Sequence, residues 1–79
     1  MEKWVSELLE SLERHLPDTF RDLKERFGED THALVAFLGR CKGAHDSHSV
    51  LYQLGGGKYE SAREMIARGL YVLGRESAS

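Results

Sequence analysis

The sequence predicts an all-α fold, a compact bundle of four or five short helices. Three observations carry that prediction. Apolar residues return at spacings of one, three and four in successive segments, the pattern of a helix with one buried face. Pro17, Gly28 and the run Gly55-Gly56-Gly57 punctuate those segments at points where helices stop. After the glycines, Ser61 and Glu64 have the spacing of a capping box, in which side chains satisfy the first free N–H groups of a new helix.

The first helix is predicted over about residues 2–15. Trp4, Val5, Leu8, Leu9, Leu12 and Leu16 share one face, and Glu7, Glu10, Glu13 and Arg14 fall on the other. Pro17 ends it, because proline disfavours helical backbone at Leu16 yet suits the first turn of a new helix. The second helix, 18–27, has Phe20, Leu23 and Phe27 as its apolar stripe and Gly28 as its stop. The short connection makes these two helices antiparallel neighbours.

Asp30 or Thr31 then caps a third helix, 31–41. Its Leu34, Val35, Phe37, Leu38 and Cys41 form the most continuous apolar segment, so it is the best candidate for the most buried element. A strand over Ala33 to Leu38 is the alternative, since short apolar runs fit both periods; the two alanines and the cap favour helix. Gly39 and Gly43 weaken its end. A fourth helix, 47–54, carries Val50, Leu51 and Leu54. The last, 61–73, places Ala62, Met65, Ile66, Leu70 and Leu73 on one face, with Gly69 where another helix can approach closely. Gly74 is expected to close it and to leave residues 75–79 as a frayed polar tail.

Seventy-nine residues make one domain, 1–79, because two cores would each bury too few side chains to offset the chain entropy. Hydrophobic residues at 41% and charged residues at 30% are the proportions of a globular chain. No apolar run approaches the roughly 20 residues that span a bilayer, so no membrane contact is expected. Cys41, the single cysteine, has no intrachain partner, which points to a reducing, cytoplasmic setting. The net charge of −2 gives no overall attraction to nucleic acid, but its distribution is uneven. Residues 1–38 hold nine acids and five bases, whereas residues 39–79 hold four acids and six bases. An anionic partner is therefore expected to meet the C-terminal half.

Cys41, His45 and His48 stand at i, i+4 and i+7, a spacing that on a helix can hold zinc with one open position, with His32 or Asp46 as a fourth ligand. Against this, Gly43, Asp46, Ser47 and Ser49 read as a surface loop, with Cys41 packed as a small apolar side chain; no metal or other cofactor is expected. Cys41 with His45 also lacks the third group that orients a nucleophile and its base, so no catalytic residue and no enzymatic activity are expected. The three glycines follow no strand pattern and precede Lys58-Tyr59, not the Lys-Ser/Thr pair of a phosphate loop. Lys58, Arg63, Arg68 and Arg75 lie on or beside the last helix, either as a row for phosphates or as a solvated face with a Glu64–Arg68 pair.

The stretch Gly57-Lys58-Tyr59-Glu60-Ser61-Ala62-Arg63-Glu64-Met65-Ile66-Ala67-Arg68-Gly69-Leu70-Tyr71-Val72-Leu73 resembles the second helix of ribbon-helix-helix antitoxins of the ParD type. Val50, Gln53 and Leu54 are similar to the end of that family's first helix, so the likeness covers residues 50–73. The family's DNA-reading ribbon would fall near Gly39 to Ala44 and is not matched, because Arg40 and Lys42 occupy positions that the family buries. The resemblance implies a small DNA-binding antitoxin or regulator. The same Gly-x-Tyr-x-x-Ala-x-x-x-Ile-x-x-x-Gly-Leu pattern looks like the second helix of a tetratricopeptide hairpin, which implies protein binding.

Two functions are expected on these grounds. The first is a small non-enzymatic helical interaction module, a regulator or inhibitor that binds another protein or a second copy of itself. Its contact residues would be Trp4, Tyr52, Tyr59, Arg68 and Tyr71, since aromatic and arginine side chains dominate such interfaces. The alternative is a small DNA-binding transcriptional regulator or antitoxin that uses Arg40, Lys42, Lys58, Arg63 and Arg68 of the basic half.

Overall fold

A computed structural model describes residues 3–42 and 47–78, with the side chains of 77 and 78 excepted. It contains five helices: α1 (Lys3–His15), α2 (Pro17–Phe27), α3 (Thr31–Arg40), α4 (His48–Gly55) and α5 (Tyr59–Ala78). No strand occurs among the described residues, so the all-α expectation holds. The strand alternative for residues 33–38 falls, since they lie within α3.

In α1, Val5, Leu8 and Leu12 are buried, Trp4 and Leu9 are partly covered, and Glu7, Glu10, Glu13 and Arg14 face solvent. Leu16 links α1 to α2: its N–H donates to the Leu12 carbonyl at 2.9 Å, and its own carbonyl accepts from Phe20 at 2.8 Å. Pro17 occupies the first turn of α2, where its missing N–H costs nothing. At the far end Gly28 has φ +63°, a backbone region that side chains disfavour, and its N–H donates to the Lys24 carbonyl at 2.7 Å. The Asp30 carboxylate then accepts from the Ala33 N–H at 3.0 Å and caps α3.

α3 buries Leu34, Val35, Phe37, Leu38 and Gly39, half of its length and the largest share of any helix. Gly39 is thus a packed interior residue of the helix. Cys41 caps the end, and its N–H is shared between the Phe37 and Leu38 carbonyls at 3.2 Å each. α4 is short but packs against α1, α3 and α5, with Val50 and Leu54 fully enclosed. The Cα radius of gyration of 11.6 Å matches the ~12 Å expected of a close-packed chain of this length. Among the described residues no helix is long and apolar enough to cross a membrane.

The last helix departs from expectation at both ends. It begins at Tyr59, and the Lys58 carbonyl accepts from Ala62 at 3.1 Å, so Ser61 sits inside the first turn and is not the cap. The reason lies in how α4 ends. The N–H groups of Gly57 and Lys58 donate back to the carbonyls of Leu54 (3.1 Å) and Gln53 (2.8 Å), with Gly57 at φ +79°. This Schellman closure is complete at Lys58, so the helix restarts at once. Of the three glycines, Gly55 still belongs to α4.

At the other end α5 runs through Gly74 to Ala78, and the frayed tail expected from residue 75 is helical as far as Ala78. A glycine inside a helix costs about 1 kcal/mol relative to alanine, which weakens a helix without stopping it.

Candidate interaction cleft and basic furrow

Where the C-terminal turn of α3 meets the middle of α5, Gly69 allows the two helices to touch. A Cβ at Gly69 would stand 2.8 Å from the Cys41 sulfur and 3.0 Å from the Phe37 ring. This is the close approach expected of Gly69. Beside the crossing opens a cleft of about 300 Å³. Phe37, Cys41, Gly69, Val72 and Leu73 form its apolar lining, and Arg40, Arg68 and Glu76 stand at its edge. Tyr71, which precedes Val72 on α5, is 66% exposed, and Val72 is 47% exposed.

Burial pushes the Cys41 thiol up to about 11, more than the nearby Arg40 charge lowers it. It is therefore a neutral, poorly nucleophilic thiol near pH 7. His45 and Asp46, named with Cys41 and His48 as metal ligands, lie outside the described residues. Among the described residues no group of three or more His, Cys, Asp or Glu side chains could hold a metal ion.

A second hollow, of about 400 Å³, is lined by Lys42, His48, Tyr52, Gln53 and Lys58. A third, lined by Lys42, Gln53, Glu64 and Arg68 among others, shares residues with both and joins them into one furrow across α3, α4 and α5. Buried in it, the Gln53 side-chain oxygen has no hydrogen-bond partner among the described residues.

The furrow gathers four of the five cations expected to meet nucleic acid: Arg40, Lys42, Lys58 and Arg68. Among the described residues none of these four forms an ion pair. Among the described residues the expected Glu64–Arg68 pair is not formed either; on that helix Arg63 pairs with Glu60, at 2.8 Å. Arg63 is thus the one member of the set outside the furrow.

The protein-contact set is divided. Arg68 lines the cleft, Tyr71 is exposed on the same helix without lining it, and Tyr52, 74% exposed, lies in the adjoining hollow. Trp4 is partly buried, edge-on to His48 at 4.9 Å, and Tyr59 stacks on His15 at 4.6 Å. Both therefore spend much of their ring surface within the chain. Phe37, Gly69 and Val72 were not singled out as contact residues by sequence. The available signal was Val72 three residues after Gly69, just off the core stripe of Leu70 and Leu73.

Among the described residues, fold and site together make an all-α bundle of five helices that carries an apolar cleft and a basic furrow. No protein-family model, no curated protein and no solved structure matches this chain.

Proposed function

We propose that this chain is a small non-enzymatic interaction module, a cytoplasmic regulator or inhibitor that binds protein through the cleft between α3 and α5. The observation that carries the reading is Val72, exposed on α5 in the lining of an apolar cleft that Arg68 also lines, with the exposed Tyr71 its neighbour in the chain. Arginine and aromatic side chains dominate interface centres, and Arg68 and Tyr71 stand on this same exposed stretch of α5. A photoreactive side chain placed at Tyr71 tests it in cells. The expected result is a protein adduct that Val72→Arg abolishes and that does not form from Arg21 on α2. Equal adducts from both positions, or none from Tyr71, discard the reading.

The four cations of the furrow favour a second reading, a DNA-binding regulator or antitoxin. Three or four phosphate contacts give a slope of about −3 in log affinity against log salt. Lys42→Ala should reduce that slope by about one and Arg63→Ala should leave it unchanged. Failure to bind DNA at low salt removes this reading.

A further inference from the structure

The second half of α5 is poorly covered by its own chain. Ala62, Met65 and Ile66 are buried, but from Ala67 to Glu76 no residue is, and Leu70 and Leu73 are only half-covered. Along this half, Arg68, Val72 and Glu76 stand at i, i+4 and i+8 and line the same cleft. At 3.6 residues per turn the two charged residues flank Val72 within about 40°, each about 6 Å from it along the axis. Opposite charges at equal distances from an exposed apolar residue make the strip complementary to itself.

We infer that the partner of this cleft is a second copy of the chain, with the two α5 helices packed antiparallel about a twofold axis at Val72. The inference rests on the protein-binding reading above and names its partner. In this arrangement each Val72 meets its counterpart, and each Arg68 lies level with Glu76 of the partner subunit, so the contact occurs twice. A parallel copy would set arginine beside arginine and carboxylate beside carboxylate. Nucleic acid would find Glu76 repulsive in this strip, whereas a second copy uses both charges. Glu76 keeps an interaction within its own chain, and a carboxylate has acceptor positions to spare for an arginine as well.

A contact of two to three helical turns belongs at the small end of specific interfaces, below about 1,200 Å² in total. The test is therefore sedimentation equilibrium of the full chain at low salt, up to a concentration on the order of 1 mM. The mass should rise with concentration from 9.0 kDa to twice that value. Arg68→Glu and Glu76→Arg, made singly, should each weaken dimerisation at least about tenfold, since each sets like charges together twice. The two combined should restore it to within about threefold, and Val72→Arg should leave a monomer, all four retaining the helical signal of the parent.

A monomer throughout the range, or a double reversal no better than the singles, overturns the inference. These results are separable from a failure of the protein-binding reading. A monomer that still forms the Tyr71 adduct with a different protein refutes only the second copy as partner.

Discussion

A methyl group at Gly69 would meet the Cys41 sulfur at 2.8 Å and the Phe37 ring at 3.0 Å, and the ring, only 4% exposed, has little room to withdraw. Gly69→Ala should therefore destabilise the fold by about 1 kcal/mol, because overpacking at about 1–3 kcal/mol exceeds the helix preference for alanine. Gly74→Ala, with nothing within 4 Å, should instead stabilise by about 0.5–1 kcal/mol. Thermal unfolding of the two variants should move in opposite directions. The same corner sets the chemistry of Cys41, whose thiol is held up to about 11 by burial. Alkylation should be slow at pH 8 and accelerate until pH passes about 11. A folded-state value above the ordinary 9.0 means that this residue's contribution to stability is intact below pH 9 and is lost as pH rises through 11. Urea unfolding at pH 8 and at pH 11 reads that loss. Gly69 was legible in sequence as a place of close approach, because a small residue on an apolar stripe has few other uses. The atoms it approaches come from another helix and were not legible.

Two helix starts separate what a local signal decides from what it does not. Asp30 caps α3 with a 3.0 Å bond to Ala33, so Asp30→Ala should cost about 1 kcal/mol. Ser61 has the spacing of a cap but lies inside α5, and Ser61→Ala should change stability by no more than about 0.5 kcal/mol. Chemical denaturation of both variants measures the difference. The Asp30 signal stands alone after a left-handed Gly28, whereas the Ser61 signal competes with a Schellman turn that has already finished at Lys58. Gly74 misled in a similar way. A C-terminal glycine stops a helix when its backbone turns left-handed, and only Gly28 and Gly57 do so among the described residues. Residue type reveals which positions can take that conformation, and the surrounding hydrogen bonds select those that do.

Across the molecule, α3 and α4 each touch three other helices, and α4 ties α1 to α3 and α5. A domain of this length has roughly 4–12 kcal/mol of stability in all. Leu54→Ala, at a fully enclosed site on α4, should remove about 2–5 kcal/mol of it. Trp4 fluorescence on α1 and the helical circular dichroism should then shift together to lower urea, because one core couples them. The order of the helices, their apolar faces and the excess of cations in the C-terminal half were all determined by the sequence itself. Periodicity, proline and glycine act within a few residues, where the chain is its own environment. The tertiary structure alone decided which side chains meet: Trp4 with His48, Tyr59 with His15, Gly69 with Phe37 and Cys41, and four cations from three segments along one furrow. Those contacts join residues far apart in the chain. Their formation depends on how the helices cross, a property of the whole packed core that no local spacing records.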